Sequence, residues 1–183
     1  QGKALSYNNI ADSDAALSCL LSFDTPTCVI VKHANPCGVA MADTPLEAYQ
    51  RAFASDPTSA FGGIIAFNQP VDEALMHAIL DNQFVEVLLA PTFTEAALSR
   101  AEAKPNVRLL SFGHAGPQSQ WHLKRIMGGL LVQTDDAIQQ SLSDCEVVTQ
   151  REPTPQESKD AWFVWQVCRH VKSNAIVVGQ QGQ

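Results

Sequence analysis

The sequence lacks several features that would place it in a specialised class of protein. No apolar run approaches the roughly 20 residues that a membrane helix needs, and the start QGKALSYNN lacks the apolar core of a secretory signal. The chain has 12 basic and 19 acidic residues, which give a net charge of -7. It therefore lacks the excess of positive charge that nucleic-acid binding needs. We therefore predict a cytoplasmic protein that binds neither nucleic acid nor membrane.

The cysteines are few and lack the spacing of a metal site. They fall at positions 19, 28, 37, 145 and 168 without a C-x-x-C pair, so reduced, mostly buried thiols are expected. Cys37 follows a proline, as the first cysteine of the zinc deaminase signature P-C-x-x-C does, yet position 40 is alanine and no H-x-E occurs in the chain. Zinc is therefore disfavoured, and a divergent nucleoside deaminase is kept only as an alternative.

What the sequence does contain is the alternation typical of an α/β protein. Hydrophobic residues make up 45% and charged residues 17%, a composition that excludes intrinsic disorder. Apolar runs of strand character alternate with helical segments, which predicts a mostly parallel sheet covered on both faces. The predicted strands are 28–31, 63–67, 85–89, 107–110, 130–133, 145–149 and 175–178.

Capping residues mark the predicted helix starts. Asp12 is expected to cap the first helix. The stretches 44–47 and 154–157 both have a capping-box pattern with proline at the first helical position, and the helix opened at Thr44 should stop before Asp56. Further helices are predicted near 72–80 and 94–103.

One segment is a candidate linker between two units. Residues 113–121 contain turn formers and no apolar period. We predict a first domain over residues 1–113, and a linker followed by the start of a second, incomplete domain over 114–183.

The stretch VIVKHANPCGV places Lys32 and His33 side by side where an apolar run meets a turn. Ligands of open α/β sheets bind beyond the carboxyl ends of strands, where this pair would lie. Adjacent strand residues point to opposite faces, so both side chains can share a site only if the strand breaks, and Asn35 to Gly38 is expected to break it. A lysine beside a histidine favours a neutral imidazole that can accept a proton. A solvated lysine next to a packed histidine is the alternative, and local physics favours neither.

Three further positions could contribute to a site. Gly62 and Gly63 precede a strand, so they form either a close approach of ligand to backbone or a tight turn, and not a P-loop. Glu86 interrupts an apolar run, so its carboxylate is paired, bound to a ligand or, most simply, on an exposed strand face. Asn174 lies where a helix gives way to a predicted strand and can simply close that helix.

Four stretches together resemble consecutive motifs of the AICAR transformylase/IMP cyclohydrolase family of bifunctional purine-biosynthesis enzymes. They are VKHANPCGVA, SDPTSAFGGIIAFN, QFVEVLLAP and VKSNAIV, and QGKALSYNNIADSDAA resembles the stretch that precedes them in bacterial members. The resemblance implies three-layer α/β/α, cytidine-deaminase-like units without zinc, the first nearly whole and the second cut short. It also implies that the cyclohydrolase domain lies upstream and that a Gly-rich segment and a His-bearing tail lie downstream.

The reaction implied by this resemblance is transfer of a formyl group from 10-formyltetrahydrofolate to the 5-amino group of the nucleotide AICAR. A homodimer with shared active sites is implied as well, so the piece alone is expected to be inactive. A non-catalytic nucleotide-binding or dimerisation module is the alternative. The matched positions are His33 as proton acceptor, Lys32 as transition-state stabiliser, Asn174 as the residue that orients the formyl group, and Gly62, Glu86 (Asp in some relatives) and Asn8 as nucleotide contacts.

Overall fold

The centre of the fold is a five-stranded sheet, seen in a computed structural model that describes residues 1–113, 121–136 and 141–183. Its order is β2-β1-β3-β4-β5. Strand β1 is antiparallel to β2 and to β3, whereas β3, β4 and β5 are mutually parallel neighbours. The predicted α/β class is confirmed. The strands are β1 (Thr27–Lys32), β2 (Asn35–Met41), β3 (Gly63–Phe67), β4 (Val85–Ala90) and β5 (Arg108–Ser111).

Helices cover both faces of this sheet. One apolar cluster joins the sheet to α2, α3, α4 and α5, and a second joins its other face to α1 and α6. Burial on both faces explains the near-continuous apolar strands, since consecutive residues such as Val29 and Ile30 belong to opposite clusters. The helices are α1 (Tyr7–Leu20), α2 (Pro45–Ser55), α3 (Pro57–Ala60), α4 (Glu73–Asn82), α5 (Glu95–Ala101) and α6 (Pro155–Cys168).

The predicted helix starts agree with the structure at all but the first helix, and the short helix α3 was not predicted. Thr44 and Thr154 cap α2 and α6, and α2 ends at Ser55, all as predicted. The prediction of Asp12 as the first cap is wrong, because Ser6 caps α1. The Ser6 hydroxyl accepts a 3.1 Å hydrogen bond from the Asn9 backbone, and the Asn9 side chain accepts one of 3.1 Å from the Ser6 backbone. This reciprocal box places the helix cap six residues before Asp12.

Five predicted strands form and two do not. Those over 28–31, 63–67, 85–89 and 107–110 match the sheet to within one residue, and 130–133 falls within β7 (Gly129–Thr134). The predictions over 145–149 and 175–178 are wrong, and Val148, Ile176 and Val178 are 87%, 89% and 90% exposed. An apolar run becomes a strand only where a partner supplies the ladder hydrogen bonds, and neither run has such a partner within the described residues.

The second half of the chain supplies a separate ribbon and one helix of the core. Strands β6 (Trp121–Ile126) and β7 pair antiparallel, and their residues are exposed throughout. Helix α6 packs on the α1 side of the central sheet through Phe163 and Val167. Most of the predicted linker, residues 114–120, lies outside the described residues.

Three features of the fold bear on function. No helix in the described ranges is both long and apolar enough to cross a bilayer. Among those residues no three His, Cys, Asp or Glu side chains cluster as metal ligands would. All five cysteines are free thiols, with Cys19 and Cys28 buried.

Candidate functional site at a hairpin tip

Lys32 and His33 lie at the tip of the β1–β2 hairpin. Lys32 pairs with Asn35, and the two residues between them have φ values of 54° (His33) and 56° (Ala34). Positive φ at both central residues is the geometry of a type I′ turn, which matches the twist of the flanking strands. The strand therefore does break beside Lys32, but the expectation that Asn35 to Gly38 would break it is wrong, because those residues belong to β2.

The tip lies at the end of the sheet where β3 and β4 begin, and the sequence alone did not predict this position. Lys32 does end its own strand. Because β1 is antiparallel to β3, with Val31 opposite Ile64, that end lies beside the amino ends of β3 and β4. The nearest loop is consequently the one that enters β3, and it carries Phe61 and Gly62.

The Lys32 ammonium is held by that loop. Its Nζ donates to the carbonyl oxygens of Phe61 at 2.8 Å and Gly62 at 3.1 Å. Carbonyl oxygens are acceptors that suit a charged donor, and they fix the ammonium beside the turn. His33, the next residue, is exposed, so its imidazole can reach a ligand from solvent.

Gly62 is the predicted site residue that the fold places directly against Lys32. Its φ is +68°, and a Cβ there would lie 3.2 Å from Lys32 Nζ. Its backbone N–H donates to the Phe84 carbonyl at 2.8 Å, which locks the loop to the start of β4. The tight turn is therefore observed, and Lys32 is the group that approaches Gly62 closely; approach of a ligand to this backbone stays a prediction.

Two aromatic rings flank Gly62. Phe61 and Phe84 are tilted with ring centroids 5.8 Å apart, and they are 61% and 43% exposed. They help to line a cavity of about 320 Å³, and a second cavity of about 440 Å³ lies between the N-terminal residues and the end of α5. Lys32, His33 and Asn174 line neither of these two cavities, and His33 and Asn174 are exposed.

Cys37, near Lys32, is unsuited to act as a nucleophile. Burial and, to a smaller extent, the Asp56 carboxylate raise the pKa of its thiol to about 11, against the smaller lowering effect of Lys32. Its Sγ lies 3.5 Å from the Ile30 carbonyl oxygen. Because the thiolate is the reactive form, Cys37 is inert at neutral pH.

Asn174 lies on the segment that follows α6, and this segment reaches the tip. The backbone N–H of Lys172 donates to Asn35 Oδ1 at 3.0 Å, and Lys172 Nζ donates to the His33 carbonyl at 3.3 Å. Asn174 itself is exposed, two residues further along. The fold therefore brings the backbone around Asn174 to the hairpin tip. We call Lys32, His33, Gly62 and residues 172–174 the tip site.

Glu86 is the second residue of β4 and contacts α1. Its Oε2 accepts a 2.8 Å hydrogen bond from Asn9 Nδ2 and lies 4.0 Å from Arg108 Nη1. Pairing, one of the three interpretations of this acid, is thus the one observed, while 41% of the side chain stays exposed. Asn8, predicted as a contact, is exposed on the first turn of α1, and its buried neighbour Asn9 is the residue that reaches Glu86.

Comparison with known proteins identifies the family. The family model for the AICARFT/IMPCHase bienzyme matches residues 1–183. The chain belongs to this family. It is 58% identical over 183 residues to the bifunctional purine biosynthesis protein PurH of Neisseria gonorrhoeae (strain NCCP11945) and 57% identical to the protein of that name from Neisseria meningitidis (strain FAM18). All of this chain is covered in both comparisons, and it spans 35% of the length of each relative.

Two residues of the AICARFT/IMPCHase chain that sequence reasoning missed are Asn9 and Lys172. Asn9 could have been found from the spacing of Ser6 and Asn9, which is that of a capping box with asparagine in place of the usual Glu or Gln. Lys172 has no comparable signal, because its partners His33 and Asn35 lie 139 and 137 residues away in the chain.

Proposed function

We propose that this chain is part of an AICAR formyltransferase, which moves a formyl group from 10-formyltetrahydrofolate to the 5-amino group of AICAR in purine biosynthesis. Membership of the family along the whole chain supports this proposal. The structural observation that carries it is the Lys32 ammonium, anchored on two carbonyls beside the exposed imidazole of His33.

The chemistry needs a base and a cation. The amine of AICAR is conjugated with the neighbouring carboxamide, so it is a poor nucleophile. Its nitrogen bonds to the formyl carbon as the bond from that carbon to folate N10 breaks. In our proposal His33 accepts the amine proton, Lys32 stabilises the charge that develops on the formyl oxygen, and N10 of the departing tetrahydrofolate is protonated in turn.

The remaining predicted residues are proposed to orient the substrates. Asn174 would orient the formyl group, since its segment lies at the tip. Gly62, Glu86 and Asn8 would contact the nucleotide, and Glu86 would do so from a position set by Asn9. The exposed Phe61–Phe84 pair offers flat apolar surface on which an aromatic ring system such as that of the folate can pack.

The wider architecture is also a proposal. We infer cytidine-deaminase-like units divided near residue 113, and a cytoplasmic homodimer with shared active sites that binds neither nucleic acid nor membrane. The α/β/α layering around the central sheet supports the cytidine-deaminase-like architecture, and α6, from beyond residue 113, belongs to one of its layers.

The test uses a full-length protein that contains this chain. We expect release of tetrahydrofolate only when AICAR and 10-formyltetrahydrofolate are both present, and about 100-fold slower release in Lys32→Met, which keeps the methylene stem but loses the cation. Transfer that is unaffected by Lys32→Met would overturn the assignment. The 183-residue chain alone is expected to give no turnover; turnover equal to that of the full-length protein would show that the other segments are dispensable.

Calorimetry on the 183-residue chain separates catalysis from simple binding. AICAR is titrated with and without the folate. If the 183-residue chain binds AICAR but the full-length protein transfers no formyl group, the chain is a nucleotide-binding module and the proposed reaction is wrong.

A further inference from the structure

The segment after α6 lies along the outer edge of β2 and runs parallel to that strand. Lys172 contacts the first residue of β2 through Asn35 Oδ1, at 3.0 Å. At the far end, the Met41 backbone N–H donates to the Gly182 carbonyl at 2.8 Å. The segment is therefore fixed at both ends of β2, and Lys172 makes the contact at the hairpin tip.

The backbone of the tip is unfavourable for the residues that occupy it. His33 and Ala34 both have positive φ, where a Cβ crowds the carbonyl, and turns of this type usually contain Asn or Gly instead. A turn with such residues is held in place by contacts from outside the hairpin. Lys172 supplies two contacts, one to His33 and one to Asn35, on either side of Ala34.

We propose that Lys172 is a positioning residue that hydrogen-bonds to the hairpin tip on both sides of Ala34 and so holds His33 and the Asn174 segment in one site. It binds the backbone carbonyl of His33 and leaves the imidazole ring free to meet substrate. Its own N–H, on the chain that leads to Asn174, binds Asn35. This inference rests on the proposed formyl transfer and adds a residue to it.

The kinetic test compares three lysine variants of a full-length protein that contains this chain. In Lys172→Met we expect kcat to fall about 10- to 100-fold with KM for AICAR nearly unchanged, since small displacements of catalytic groups have costs of this size. Lys172→Arg, which keeps a donor within reach of the His33 carbonyl, should recover most of the rate. Lys159→Met, at an exposed lysine of α6, should behave as wild type. A kcat for Lys172→Met equal to that of Lys159→Met would overturn the proposal.

Hydrogen exchange on the 183-residue chain tests whether the Lys172 contacts stabilise the hairpin tip, independently of catalysis. Backbone amides of residues 33–35 should exchange faster in Lys172→Met than in Lys159→Met. Asn35→Ala, which removes the other acceptor and leaves the lysine intact, should have the same effect and serves if Lys172→Met does not fold. Unchanged exchange in these variants would refute the proposal that Lys172 holds the hairpin tip. Absence of formyl transfer in the wild-type protein would refute the proposed function alone, because the exchange result does not depend on it.

Discussion

The side-chain amide of Asn9 donates a 2.8 Å hydrogen bond to the Glu86 carboxylate, which joins the first turn of α1 to β4. Asn9 is 5% exposed and also accepts from the Ser6 backbone N–H. One buried side chain therefore closes the helix cap and holds an acid that is proposed to contact the nucleotide.

Loss of this link should destabilise the chain. Asn9→Ala removes both hydrogen bonds, and we expect a loss of about 1–3 kcal/mol in the free energy of unfolding. The adjacent, exposed Asn8 is a matched control, since Asn8→Ala should change stability by less than about 0.5 kcal/mol. Urea denaturation of the two variants compares them directly. Equal losses would mean that the Asn9–Glu86 bond contributes nothing.

A second prediction separates backbone strain from the contact with Lys32. Gly62 and Gly113 have φ values of +68° and +62°. A Cβ at Gly62 would meet Lys32 Nζ at 3.2 Å, whereas one at Gly113 would meet no atom of the described residues within 4 Å. Gly113→Ala should therefore cost about 1 kcal/mol, from the backbone alone. Gly62→Ala should cost more and should displace the ammonium. If the denaturation midpoints of the two variants coincide, the close approach of Lys32 to Gly62 is wrong.

A third prediction concerns acid stability. Burial, aided by the Arg169 cation, lowers the pKa of His170 from 6.5 to about 4, and its Nε2 lies 3.1 Å from Ser22 Oγ. Above pH 6.5 the ring is neutral in both states and makes no difference. Between pH 6.5 and 4 the unfolded chain binds a proton that the folded chain does not, so stability falls as the pH falls.

The matched variants for this effect are His170→Gln and His77→Gln. The stability of His170→Gln, measured by urea denaturation, should fall less steeply than that of wild type between pH 6.5 and 4. His77 is exposed on α4, so His77→Gln should keep the steep dependence. An unchanged slope in His170→Gln would contradict the assignment of this titration to the buried ring.

The features predicted from sequence are those with a local cause. The apolar run of β3 and the threonine caps of α2 and α6 were found because strand composition and capping are read over a few neighbouring residues. The end of a strand at Lys32 was predicted because an apolar run and turn residues meet there, and the role of Lys32 and His33 stays a prediction. The antiparallel pairing of β1 with β3 was not found, because pairing direction depends on the path of the whole chain. The Asn9–Glu86 bond joins residues 77 apart, and a contact of that span leaves no local pattern.

The central claim is that His33, at the tip of the hairpin, is the base of a formyl transfer. Single-turnover kinetics of His33→Ala in a full-length protein that contains this chain tests it most directly, with the AICAR affinity measured alongside by calorimetry. We predict transfer about 10²- to 10⁴-fold slower than in wild type, with an affinity within about threefold. Transfer at the wild-type rate, or a loss explained wholly by weaker binding of AICAR, would contradict the claim.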